Sequence, residues 1–492
     1  MNNRHHHTLL LLILLSFVAF HYLRTMPPSL YAYDSIEIAV GAATLGIIHS
    51  PGYAVYLLLG HLFTYLPVGD IAYRLHLLSA TATLATLPPL CWLCYQLTRH
   101  PHPAYIATLT YAFTYYAWSL SIIAEVYTFQ LCLLAYIITA LYHWHTHQKP
   151  STLYLATFLF ALSCANSPIA LFWLPGLLIF LKPSAQSDKT WRQLYTSRYL
   201  IPLTIATILG LLPLLYLPWR SSANTPFNYI GIYDAQAIYH PFDLSQPQNL
   251  FWYLRGGQFN NQLFGYSLTQ LPQQLFTFTH QLWAAFLGIG LPLGLWGWSR
   301  LIKQHTIPTL ALTTITLSHA TFFITYRAID KDTMFLPVYF IWTIFIAAGI
   351  TNLQDLITSL TSKPLTTYLK PIFWLLPLTL LLINYNYVDL HQFNHTATIT
   401  QQRLTNLPPN SYYFAIWHEA TALEYYQIID HQRPDITVIN TFFVPPPNRI
   451  PLINHLLTHN HPVYIDRIDT IIKTNYAYKQ HEFGFELSLL NP

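Results

Sequence analysis

The chain has 492 residues, 53% of them hydrophobic and 9% charged, whereas a soluble domain carries roughly a quarter charged residues. That composition excludes an ordinary water-exposed domain as the whole molecule, and the apolar residues fall in blocks near the ~20 residues needed to cross a bilayer. The formal charge of +4 is spread over short loops rather than gathered into a basic stripe, which argues against a nucleic-acid partner.

In chain order, His5, His6 and His7 form a polar head with no assigned role. Thr8 to Leu23 then reads as an uncleaved first anchor, because no small-residue cleavage site follows it. Further spans are expected near 71–97, 103–117, 120–142, 152–166, 168–182, 199–218, 276–299, 306–325, 334–352 and 371–388, about eleven with the first. Those at 103, 152 and 168 are short for a full crossing and read as half-helices shielded by neighbours. Cys91, Cys94, Cys132 and Cys164 fall inside apolar segments and read as small core residues rather than a disulfide or zinc framework.

Orientation follows from the cytoplasmic bias of Lys and Arg. Placing the N-terminus inside puts Arg4, Arg99, Lys149, Lys182, Lys189, Arg192, Arg198, Arg300, Lys303, Lys363 and Lys370 on the cytoplasmic side. Segments 25–70, 219–275, 326–333 and everything after 389 are then outside. The expected organisation is a membrane part over 1–388 and a small extracytoplasmic α/β domain over 389–492. In that tail, strands are expected at 411–417, 436–439 and 462–465, with helices at 420–430 and 450–458. No glycine-rich phosphate loop of the G-x-G-x-x-G type accompanies them.

Asp34 and Glu37 are three residues apart and share a helix face. That spacing suits a general base beside a group that holds a metal or a substrate hydroxyl, and equally a capping box. His49 either touches a phosphate or closes the turn that Pro51 and Gly52 impose. Glu125 lies within the apolar run Ser119 to Thr128, a turn or two below the outer end of its expected span, where an ionisable group is costly unless paired, so it points to a polar cavity. Arg327, Asp330, Lys331 and Asp332 crowd one short loop, suited to holding a phosphate or simply solvated. Arg220 is a further outward cation beside aromatic residues, as is Arg255. In the tail, His418 and Glu419 follow the first strand, at the edge where α/β units bind ligands.

Asp34-Ser-Ile-Glu37, Thr44 to Tyr53, Leu66 to Arg74, Ile123 to Tyr127, Leu215 to Arg220, Asp330 to Tyr339, Ala422 to Tyr426 and Arg433 to Asn440 together resemble the family related to the endoplasmic-reticulum protein O-mannosyltransferases. These are membrane glycosyltransferases of the GT-C class. The family typically reads Asp-Ser-Gly-Glu and His-Pro-Pro-Gly-Tyr, whereas this chain has Ile36 and Ser50 at the varied positions.

The resemblance implies a GT-C-like polytopic fold. The reaction it implies is inverting transfer of a sugar from a polyprenyl-phosphate donor to a hydroxyl of a protein, lipid or glycan on the outer face. Within that reading Asp34 is the candidate base and Glu37 its support or a metal holder; His49, Tyr53, Glu125, Arg220, Arg327 and Lys331 are the candidate substrate-binding residues, Arg327 and Lys331 by their place in the outer loop alone. No cofactor is required, although a divalent ion stays open. The expected location is a bacterial inner membrane, with the N-terminus cytoplasmic and the tail periplasmic. The rival is a transporter or lipid-carrier binding protein, whose polar residues would be spread through many spans.

Overall fold

The computed structural model describes residues 2–182, 196–360 and 370–490. Lys189, Arg192 and Lys363, counted above among the cytoplasmic cations, lie outside the described residues. The chain divides into two compact units. One comprises 1–26, 79–214 and 259–389; the other comprises 27–78, 215–258 and 390–492.

The first unit is helical. Among the described residues of the whole chain, seven helices are long and apolar enough to cross a membrane: His5–Thr25, Ile71–Thr98, Val126–His147, Ser197–Ser222, Thr306–Thr325, Lys331–Leu360 and Lys370–Val388. An eighth span arises if Leu271–Ala285 and Gly290–Gln304, bent by 93°, count as one. The eleven expected segments are thus mainly helical, that at 120–142 becoming a long helix only from Val126, but those at 103, 152 and 168 fall short: Pro101–Ala112 has 12 residues, Pro150–Asn166 has 17, and Pro168–Ile179 is a 3-10 turn running into a short helix. Pro168 explains that last break, since it supplies no backbone donor and a helix cannot continue through it unchanged.

Small residues let two of these helices touch backbone to backbone, as membrane helices commonly do. A methyl group added at Gly297 would lie 1.8 Å from the Phe345 carbonyl, and one at Gly349 would lie 2.0 Å from that of Leu293. Cys91, Cys94 and Cys132 are buried and all four cysteines are free, as expected of core residues.

The second unit carries the α/β part. Its five-stranded sheet comprises β3 (Tyr412–Ala415), β4 (Thr437–Asn440), β5 (Val463–Ile465), β6 (Tyr476–His481) and β7 (Gly484–Leu489), in the order β4-β3-β5-β7-β6. A separate two-stranded ribbon pairs β1 (Gly231–Tyr233) with β2 (Tyr239–Pro241). β3 runs parallel to both β4 and β5, with Phe414 opposite Ile439 on one side and Ile465 on the other. β7 is antiparallel to β5 and β6. The parallel strands are short apolar runs because both faces are covered. Phe414, Ile439, Val463 and Ile465 form one core with Leu452, Ile453 and Leu456 of the helix Pro446–Thr458 and with Leu487.

The expected strands and helices of the tail are present within a few residues. The β6/β7 hairpin and the helix His395–Asn406 were not anticipated. The unit containing 390–492 also contains 27–78 and 215–258, which overlap the 25–70 and 219–275 segments expected on the same side as the tail.

Candidate active site

The site begins with the helix Asp34–Thr44. It ends at Thr44, because Leu45 adopts the left-handed conformation (φ 49°). The Leu45 N–H then donates to Ala42 O and the Gly46 N–H to Gly41 O at 2.8 Å, the paired bonds by which helices often terminate.

Arg220 donates from Nε to Leu45 O (2.6 Å) and from Nη2 to Thr44 O (3.1 Å), satisfying carbonyls that the helix end leaves open. Ile47 next exchanges backbone bonds with Phe227 (2.9 Å) and Tyr229 (2.8 Å), and Tyr253 Oη donates to Ile48 O at 2.6 Å. Gly52 closes the turn with an N–H to His49 O at 2.9 Å. Its φ is +90° and a methyl there would lie 2.5 Å from Tyr253 Oη, so only glycine fits.

These constraints deliver His49 to Glu37. The Glu37 side chain is fully buried and accepts three hydrogen bonds. Oε1 takes the His49 backbone N–H at 2.6 Å, while Oε2 lies 2.9 Å from His49 Nδ1 and accepts Trp417 Nε1–H at 2.8 Å. A carboxylate only accepts, so His49 Nδ1 carries the proton and Nε2 is the nitrogen turned toward Asp34, 3.7 Å from its Oδ2.

The Asp34 side chain is 34% exposed, against 7% for His49 and 0% for Glu37. Access therefore decreases from Asp34 to Glu37. Asp34 opens the helix as its first residue, behind Tyr33 with φ 54° and no side-chain cap, so the capping-box alternative is not the arrangement adopted. The His49 carbonyl closes the turn, one of the two readings the sequence left open, while its ring meets the carboxylates of Asp34 and Glu37.

One ligand atom from each of Asp34, Glu37 and His49 lies within 4.8 Å of the others, close enough to invite a cation. The bonds at Glu37 work against that set of three. Trp417 Nε1–H can only donate, and it points its hydrogen at the same Oε2 that faces His49 Nδ1. A cation on Glu37 would meet those hydrogens, so Glu37 fits an orienting carboxylate better than a metal ligand.

Behind Trp417 the aromatic packing continues. Tyr229 meets the Trp417 ring edge-on at 5.3 Å and donates its hydroxyl proton to Glu424. Burial, with the Glu37 charge adding to it, raises the Glu424 carboxyl to about 8. Burial first, and then the Glu424 charge, likewise raises the Tyr229 phenol well above its usual value.

Tyr53 stands edge-on to the His49 ring at 5.6 Å. Of the two tail residues singled out beside the first strand, Glu419 pairs with Arg403 at 2.8 Å and the His418 ring lies 5.8 Å from that of Tyr33.

The remaining expected site residues belong to the helical unit. Glu125 does not lie within a helix: it occupies the extended position just before Val126–His147, where its backbone N–H donates to Ser79 Oγ at 3.1 Å. The backbone N–H of the exposed Arg327 donates to Gln262 O at 2.9 Å. Lys331 is buried, with Nζ donating to Tyr266 Oη at 3.2 Å and to Gln274 Oε1, and lying 4.4 Å from the Tyr266 ring centre.

Sequence reading missed Trp417, Tyr229 and Glu424. The strand expected at 411–417 ends on Trp417, whereas the structure starts a helix there.

Residues 34–191 match the family model described as the protein O-mannosyl-transferase TMEM260 N-terminal domain. The mouse (Mus musculus) protein O-mannosyl-transferase TMEM260 is 26% identical over 209 residues, which is 42% of this chain and 29% of that protein. The match thus spans under a third of the mouse protein.

Among solved structures, ArnT from Cupriavidus metallidurans bound to undecaprenyl phosphate superposes with a TM-score of 0.59 at 11% identity, covering 98% of this chain and 97% of that one. The Archaeoglobus fulgidus oligosaccharyltransferase in its apo form gives 0.55 at 12% identity, over 92% and 69%. The chain therefore has the fold of the GT-C class of membrane glycosyltransferases and, through residues 34–191, resembles the protein O-mannosyl-transferase family.

Proposed function

We propose that this protein transfers a sugar from a polyprenyl-phosphate carrier to an acceptor hydroxyl, with Asp34 as the general base. One observation carries the assignment: Asp34 is the exposed member of the Asp34, His49, Glu37 series, at the end of a sealed carboxylate–imidazole pair. The mouse O-mannosyl-transferase and the undecaprenyl phosphate bound to ArnT support the reaction and donor classes.

In the step proposed, Asp34 takes the acceptor hydroxyl proton as the oxygen attacks the anomeric carbon. The bond from that carbon to the carrier phosphate breaks, and the phosphate leaves with the electron pair. A single displacement of this kind inverts the anomeric centre.

Glu37 holds the His49 ring and so keeps Nε2 beside Asp34, while Tyr53 flanks the ring. Arg327, Lys331 and Glu125 are proposed to serve the donor phosphate and its sugar, cations being suited to a departing phosphate. Arg220 is proposed to act on substrate only through the loop it caps. The reaction as written uses protein groups alone; a divalent ion would have to be held by substrate and water beside Asp34 rather than by Glu37. The setting proposed is a bacterial inner membrane, with the N-terminus cytoplasmic and the 389–492 domain periplasmic.

The test is sugar release or transfer by purified protein from a panel of polyprenyl-phosphate monosaccharides, wild type against Asp34→Asn. Turnover that disappears in a folded variant supports the class and the base. Saturable binding or flux with no turnover would make the protein a transporter or carrier-binding protein instead.

A further inference from the structure

Resting on that reading, we infer that Trp417, nearly four hundred residues from Asp34 in the chain, is a positioning residue for donor chemistry. It does not touch the reacting atoms. Its indole N–H is the one side-chain donor that Glu37 receives from outside the 34–53 segment among the described bonds, at 2.8 Å to the oxygen that also faces His49 Nδ1.

The placement of that indole is held on several sides. Phe442 and Phe443 meet its ring at 4.7 and 5.4 Å, Tyr229 at 5.3 Å and His49 at 5.9 Å. Trp417 is also the first residue of the helix Trp417–Ile428, directly after β3. The Ile416 N–H that precedes it donates to Asp466 Oδ2 at 3.0 Å, at the end of the adjacent parallel strand β5. The α/β sheet thereby fixes where the helix starts, and the helix start fixes the indole.

A fully buried carboxylate needs its hydrogen-bond donors in place to stay oriented. Without the indole N–H, Glu37 Oε2 keeps His49 alone and can swing, taking with it the ring that faces Asp34. The C-terminal domain then contributes to the chemistry itself and not only to recognition of an acceptor.

Full-length Trp417→Phe removes the N–H and keeps an aromatic ring. The expected result is a kcat about tenfold lower for donor turnover, the size expected for one hydrogen bond to a charged group, with KM for the polyprenyl-phosphate sugar unchanged. In a Glu37→Gln background the same substitution should cost less than about twofold, since residues acting through one another are non-additive.

Trp417→His, which retains a ring N–H, should keep more activity than Trp417→Phe. Equal losses from Trp417→Phe in both backgrounds, or a loss confined to KM, would overturn the inference, as would Trp417→His and Trp417→Phe being equally impaired. A wild-type protein inactive with every donor would remove the transfer reading itself, and this inference with it.

Discussion

At the residue scale, the site separates two carboxylates that look equivalent in sequence. Asp34 and Glu37 share a helix face, yet one is 34% exposed and the other sealed under three donors. Asp34→Asn should therefore lower turnover by about a hundredfold or more, the range of general-base contributions, with little change in melting temperature. Glu37→Gln should reduce both activity and stability. An amide can accept through one atom only, so at least one buried donor loses its partner, at a cost of about 1–3 kcal/mol; thermal melting alongside turnover distinguishes the two variants.

Glu424 makes a second residue-scale prediction. Its folded pKa of about 8 lies above the usual carboxylate value, so the folded state holds a proton that the unfolded chain releases earlier. Stability from this group is full below the unfolded pKa and is lost as pH rises toward about 8. Melting temperature should fall across that window, and Glu424→Gln should flatten the slope.

At the scale of elements, the loop after the Asp34 helix sets the geometry. Gly52→Ala would place a methyl 2.5 Å from Tyr253 Oη at φ +90°, a strain of about 1–3 kcal/mol, and His49 would move with the turn. Turnover should fall further than stability alone explains, which a comparison at a temperature well below melting would reveal.

Several residues of the family-like motifs prove to be architectural. Arg74 donates to Val68 O and Gly69 O at 2.9 and 3.1 Å. Arg433 holds Leu407 O at 2.9 Å together with Asp435. A motif arginine on its own does not separate these roles from phosphate binding, because both need the same planar array of donors.

At the scale of the whole molecule, one unit gathers 27–78, 215–258 and 390–492. Damage to the distant sheet should then reach the site. Phe414→Ala, in the centre of the sheet core, should cost about 3–5 kcal/mol. If the sheet positions Trp417, donor turnover should fall with it even without an acceptor present; retention of full donor hydrolysis would reduce the domain to acceptor recognition.

Composition and apolar patterning alone determined that this is a polytopic helical protein with an α/β tail, because long apolar blocks and short apolar strand runs between helical segments are local properties. They also brought Asp34, Glu37 and His49 into view, since these lie within sixteen residues of one another. Span completeness was less legible: the 93° bend between Ala285 and Gly290 and the break before Val126 interrupt runs whose hydropathy is continuous. Only the tertiary structure decided that Glu37 is buried and Asp34 open, that Arg220 caps a helix, and that Trp417 reaches Glu37. Those facts depend on contacts across hundreds of residues, and hydrogen bonds at that separation leave no periodic trace in the chain.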